Sequence, residues 1–366
     1  DLVIRNSENP RTGKDYPGTD REITRFSLIG SFNMPWGDLT SFTQLAHAET
    51  QQFQDGQRNG SDFQKASATE LNLDQETDVV SQELRFSRTD GPFDWTIGAL
   101  YWKEETDVDE GSLSCFVVAP QNCGDYIAPI GVTEPLNKRK WRRDTEHWSG
   151  YAAIDWRITE RWTLGLEGRY SAEDLDIVGP DSPLIIDPFG LLGGPPTSVP
   201  PPAANVSATD GDRYFAPKAT LEWVAREDLL IYGSVAKGIK PSGISTITGG
   251  ASGFDPQLLG FDSEEVWVYE LGTKSRFADG RLQVNADVFY QDFTDKQVDT
   301  QIPLPNGLVG IKPVNAASAE IFGIEADVTW LVTERFTLNL QYTWLDAQYD
   351  DFKRNSSGTS DLARAG

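Results

Sequence analysis

The chain has 366 residues, with 56 Asp and Glu against 32 Lys and Arg, and a formal charge of −24. Such acidity argues against nucleic-acid binding, which asks for a basic surface, and no stretch approaches the roughly 20 consecutive apolar residues of a membrane-spanning helix. Neither fact weighs against a β-barrel, where only alternate residues face lipid while lumen and loops stay polar.

Residues 1–22 read as an outer loop, and residues 23–350 as six hairpins in succession. Their short turns are Pro35-Trp-Gly-Asp38, Thr89-Asp-Gly-Pro-Phe-Asp94, Thr159-Glu-Arg161, Ala225-Arg-Glu-Asp228, Ala278-Asp-Gly280 and Thr333-Glu-Arg335. Each is rich in turn formers or charge. The connections between hairpins are long and irregular, at 49–74, 107–142, 176–211, 240–263 and 296–314, and residues 351–366 read as a truncated outer loop. Within the hairpins the residues alternate. Trp162, Leu164, Leu166 and Tyr170 share one face against Thr163, Gly165, Glu167 and Arg169; Leu282, Val284, Ala286, Val288 and Tyr290 oppose Gln283, Asn285 and Asp287. Phe336, Leu338, Leu340, Tyr342 and Trp344 repeat the pattern. This is the period of a strand.

Short turns at one end and long loops at the other follow the plan of a transmembrane antiparallel up-and-down β-barrel, all-β, with short periplasmic turns. Ten or eleven residues at about 3.3 Å each, tilted by about 45°, rise roughly 25 Å, enough to cross the outer membrane's apolar layer. A soluble sandwich has shorter strands and no systematic long and short sides. Tryptophan placement agrees, since indole favours the lipid–water boundary. Trp36, Trp95, Trp156, Trp162, Trp223 and Trp330 sit near the short turns, and Trp102, Trp141, Trp267 and Trp344 near the long loops, predicting two girdles.

Candidate chemistry is sparse. Cys115 and Cys123 lie eight positions apart in one long loop and read as a disulfide, which implies an oxidising compartment. With only His47 and His147 elsewhere, a metal pair is a poor alternative. Glu105, Asp107, Asp109 and Glu110 could offer oxygens to a divalent cation, but their spacing completes no calcium loop, and a solvated acidic loop is the simpler reading. Lys138, Arg139, Lys140, Arg142 and Arg143 gather around Trp141. Three readings stand side by side for them: contacts to an anionic ligand, contacts to lipopolysaccharide phosphates, or balance for the acidic loop. Residues 182–204, with five prolines from Pro195 to Pro202, read as an extended or lid-like loop. Glu83, Arg85, Asp155, Arg157, Lys218, Glu222, Glu270, Lys274, Glu325 and Asp327 are expected to face the lumen, pairing across the wall or with whatever fills it. No nucleophile, base or phosphate loop accompanies them, so neither catalysis nor a cofactor is expected.

Several stretches resemble one known family. They are Ser81-Gln-Glu-Leu-Arg-Phe-Ser87 with Gly91-Pro-Phe-Asp-Trp-Thr-Ile-Gly-Ala-Leu-Tyr-Trp102, Phe215-Ala-Pro-Lys-Ala-Thr-Leu-Glu-Trp223, and Leu230 to Gly243. Further matches are Tyr269-Glu-Leu-Gly-Thr-Lys-Ser275, Val314 to Asp327 and Leu340 to Tyr349. In this order they resemble the barrels of TonB-dependent outer-membrane receptors. The resemblance implies a barrel of about 22 strands with a plugged lumen, of which about twelve strands are present here. It implies active import of a scarce solute (an iron–siderophore complex, haem, cobalamin or an oligosaccharide) driven by a TonB–ExbB–ExbD complex through a plug and N-terminal region that this sequence does not contain. The chain is therefore expected to be the middle of a longer protein, since an open twelve-strand sheet would leave two unpaired edges in lipid. A passive porin, or a barrel serving as surface receptor or scaffold, is the alternative.

Overall fold

Alternation of apolar and polar residues gives each segment one face for lipid and one for water, and only the strand satisfies both with a two-residue period. The computed structural model describes residues 8–9, 14–55, 67–116, 137–179, 184–187, 197–199, 207–245, 260–303 and 309–352. Twelve strands carry the fold: β1 Gly18–Met34, β2 Gly37–Asp55, β3 Ser67–Asp90, β4 Phe93–Phe116, β5 Asn137–Arg157 and β6 Trp162–Val178. They continue as β7 Ser207–Arg226, β8 Leu229–Lys240, β9 Glu264–Phe277, β10 Leu282–Pro303, β11 Val309–Thr333 and β12 Phe336–Phe352. All twelve form one antiparallel sheet in strict chain order, with no crossover. Three two-stranded pieces lie outside it, pairing Glu8–Asn9 with Lys14–Asp15, Leu184–Asp187 with Thr197–Val199, and Gly243–Ile244 with Gly260–Phe261.

The expected short turns all close hairpins of this sheet. At the four-residue turn after β9, Ala278 and Asp279 hold φ of 52° and 54°, followed by Gly280 at 83°. Left-handed backbone at successive positions gives a turn whose twist matches that of the flanking strands.

Cross-strand register sorts every side chain to one of two faces. Leu166, Ala219, Val235, Tyr269, Tyr290 and Phe322 form one continuous row across β6 to β11. The next row toward the short turns joins Leu164, Leu221, Gly233, Leu271, Val288, Ile324 and Trp344. On this face Leu271, Leu340 and Tyr342 are more than half exposed, and large apolar side chains stand uncovered on strand after strand. An apolar surface so extensive marks contact with an apolar medium; this is the outward, lipid-facing side. The opposite face carries rows such as Thr163, Glu222, Tyr232, Gly272, Asp287, Glu325 and Thr343.

Two expectations need correction. The strands run well past the apolar zone: β2 reaches Asp55, β4 reaches Phe116, β5 starts at Asn137, β10 reaches Pro303 and β11 starts at Val309. Much of what reads as outer loop is therefore ladder, including the acidic Glu105, Asp107 and Asp109. Apolar alternation stops where lipid stops, but hydrogen bonding continues because charged side chains pair across the strands, as in Lys140–Asp109 at 3.0 Å and Arg213–Asp174 at 2.8 Å. The second correction concerns the outer girdle. Trp102 and Trp141 share the inward face with Leu100 and Arg143, whereas Trp148 and Trp344 face outward. Trp148 stacks on Tyr101 with centroids 4.3 Å apart and is 56% exposed. The short-turn girdle stands as expected, with Trp36, Phe86 and Trp95 in succession and Trp162 stacked on Trp223 at 5.5 Å.

Candidate functional site

All ten charges expected in the lumen fall on the inward face, which follows from their register. In one row Arg85, Gly98, Tyr151 and Arg169 succeed one another across β3 to β6. The Tyr151 ring lies over Gly98, where a Cβ would collide with it. Its hydroxyl donates to Glu83, and the Arg169 guanidinium sits 4.9 Å above the ring. A glycine in mid-strand marks such a close approach. The device recurs on β8 and β9, where Tyr232 lies over Gly272, donates to Glu270 and receives Lys274 at 5.6 Å from its ring. Phe289 covers Gly323 in the same manner without a polar tip.

The remaining wall charges are placed as follows. Arg157 binds Asp94 and the Gly91 carbonyl beside the short turn, with Asp155 two residues before it on the same face. Lys218 Nζ is 3.3 Å from Glu167. Glu222 is registered against Thr163 and Tyr232. Glu325 stands directly opposite Asp287, and Asp327 accepts from Gln341 at 3.4 Å. Toward the long loops the wall continues through His147, 3.3 Å from Glu173, and Arg143, 2.8 Å from Glu104. The indole Nε1 of Trp141 and Nε of Arg143 are buried with no protein acceptor. This surface is polar, rigid and of both signs, suited to contact another polar body rather than to carry out bond-breaking chemistry.

Strand alternation splits the basic segment. Arg142 points outward to Asp144 at 3.0 Å, Glu105 at 3.2 Å and Asp107 at 3.8 Å, and Lys140 points outward to Asp109, while Arg143 and Trp141 point inward. Lys138 and Arg139 belong to β5, registered against Gly111 and Glu110. Cys115 is the next-to-last residue of β4, and Cys123, its expected disulfide partner, lies outside the described residues, as does the proline-rich stretch 182–204 apart from residues 184–187 and 197–199. Sequence reasoning missed Tyr151, Tyr232, Arg169, Asp94 and the glycines beneath the rings. A glycine inside an alternating segment was the available signal, but its partner is visible only once register is known.

One titratable group outside the apolar zone, His47, stands among carboxylates. His47 hydrogen-bonds Asp78 at 2.9 Å and Glu49 at 3.3 Å, and these bonds, with the charges of Asp78 and Glu76, raise its pKa above the ordinary 6.5. The sign follows: a folded-state pKa above the unfolded one gives stabilisation that is complete below the unfolded value and lost as pH rises through the folded one. Titration of the His47 ring resonances should give a midpoint above 6.5, and Asp78→Asn should move it downward.

Residues 3–365 match the family described as TonB dependent receptor-like, beta-barrel. A probable TonB-dependent siderophore receptor, PiuA, from Acinetobacter baumannii is 27% identical over 152 residues, which is 40% of this chain and 19% of that protein. Among solved structures, the ferric yersiniabactin uptake receptor FyuA from Yersinia pestis aligns with a TM-score of 0.67 at 16% identity, over 91% of this chain and 44% of that one. The siderophore receptor PiuA from Acinetobacter baumannii aligns at 0.63 and 17% identity, over 98% and 51%. At these identities the likeness of structures shows the fold, and the chain spans about half the length of the receptors it matches. With the outward apolar face, the charged inward wall and the asymmetric hairpins, the match over nearly the whole chain shows that it belongs to the TonB-dependent receptor β-barrel family of the bacterial outer membrane.

Proposed function

We propose that the protein carrying this chain actively imports a ferric siderophore across the outer membrane, powered by a TonB–ExbB–ExbD complex. The observation that carries this reading is the family match over residues 3–365. The cargo is suggested by the relatives, PiuA being named as a siderophore receptor and FyuA as an uptake receptor for ferric yersiniabactin. The inward charges Glu83, Arg85, Lys218, Glu270 and Glu325 would then contact a plug inside the barrel, and residues at the long-loop ends, Arg143 and Trp141 among them, would contact the ligand. Lys140 and Arg142, on the outward side, would face lipopolysaccharide.

Uptake of radioactive iron should test this. Cells lacking the gene should lose accumulation of at least one ferric siderophore, and wild-type accumulation should stop when the proton-motive force is collapsed. Accumulation that survives collapse would show a passive pore, and induction by carbohydrate with indifference to iron would overturn the siderophore reading.

A further inference from the structure

On the outward face of β2 and β3, His47 lies directly opposite Asp78, and Glu49 directly opposite Glu76. These two pairs occupy the next two outward rows beyond Leu45 and Val80, whose side chains are exposed in the apolar band. The four groups therefore stand where the apolar layer gives way to polar headgroups. They are held by paired strands, which fix side-chain origins more closely than a loop does.

We propose that His47, Glu76 and Asp78, with Glu49 as a further oxygen donor, form a binding site for a divalent metal ion of the zinc class. Ligating atoms of the first three lie within 4.8 Å of one another. An ion with bonds of about 2.0–2.2 Å to nitrogen and oxygen accepts ligand atoms separated by roughly 3–4 Å, so side-chain rotation alone closes the site. His47 already faces a carboxylate at each ring nitrogen, Asp78 at Nδ1 and Glu49 at Nε2. One nitrogen can bind the ion while the other N–H donates to a carboxylate, the arrangement that commonly orients a metal-bound imidazole.

The surrounding charges argue for a cation independently of that geometry. Glu22, Glu49, Glu76 and Asp107 are direct cross-strand neighbours in one row, and Asp78, Glu105, Asp144 and Asp176 in the next. Like charges directly opposite destabilise a sheet. Lys103 and Arg142 answer this at Glu105, Asp107 and Asp144, with contacts from 2.7 to 3.8 Å. Beside Glu49 and Asp78 the facing group is His47, which carries at most one positive charge. A divalent ion would offset the remaining repulsion. The neighbouring cavity of about 610 Å³, which Glu49 and Glu76 help to line, leaves room for a water or a headgroup oxygen to complete the coordination shell. The imidazole selects the metal: calcium takes six to eight oxygens, whereas zinc readily combines nitrogen with carboxylate.

The intact receptor, purified in detergent and stripped with a chelator, should be titrated calorimetrically with zinc chloride and separately with calcium chloride. The expected result is a zinc site that His47→Ala and Asp78→Asn each weaken by more than about tenfold, at least the cost of losing an outer-shell partner. X-ray absorption of the zinc-loaded protein should show a first shell of one imidazole with oxygens, a readout that does not depend on the variants. Absence of zinc binding, equal binding by both variants, an all-oxygen shell, or tighter binding of calcium than of zinc would each overturn the proposal.

Discussion

Leu271→Arg should destabilise the intact barrel by about 2–4 kcal/mol, the cost of a cation at the lipid-facing midplane. Leu271 is 57% exposed on the outward face, in a row with Leu221, Val288 and Ile324. It lies six residues from Phe277, where β9 meets its short turn. Six residues at about 3.3 Å, tilted by about 45°, place it roughly 14 Å above that end, near the middle of an apolar layer about 25 Å thick. A charge there has neither water nor a partner. Asn285→Arg is the control, because Asn285 faces inward between Lys274 and Asp327. Its cost should stay below about 1 kcal/mol, as for a substitution away from buried or lipid-facing contacts. Denaturant unfolding in lipid vesicles, followed by tryptophan fluorescence, measures both. Equal costs would mean that the two faces are wrongly assigned.

Gly98→Ala should cost about 1–3 kcal/mol through overpacking, although alanine is ordinarily the better strand residue. The added methyl enters the space of the Tyr151 ring. The ring must then swing away, releasing its bond to Glu83 and its contact with Arg169. In a Tyr151→Ala background nothing remains to collide, and the same substitution should cost less than about 0.5 kcal/mol, so the two positions should be coupled by about 1–2 kcal/mol. The same unfolding experiment, run as a double-mutant cycle, reads this out. Additive effects would show that Tyr151 does not occupy the surface above Gly98.

These two sites differ in how far they can be read from the chain alone. Leu271 declares itself, since Tyr269, Leu271 and Thr273 alternate with Glu270 and Lys274, and a two-residue period needs no knowledge of neighbours. Gly98 does not. Its partner is 53 residues away, and a shift of one residue in register would move every side chain to the other face. The same limit explains the girdle. Trp102 and Trp148 lie at similar heights, yet opposite parity sends one inward and the other outward. It explains the strand ends too, because the ladder beyond the membrane is held by pairs such as Arg142 with Asp107, across β4 and β5, which no local alternation announces. The charge rows that place Glu76 beside Glu49 likewise emerge only from pairing.

The sequence by itself determined the hairpins, their turns, their asymmetry and which residues share a face, because these depend on period and turn chemistry within a few residues. Tertiary structure decided which inward groups meet, how far the strands extend beyond lipid, and that His47 stands among carboxylates. Those outcomes depend on hydrogen-bonded register between distant segments, and register is a property of the assembled sheet.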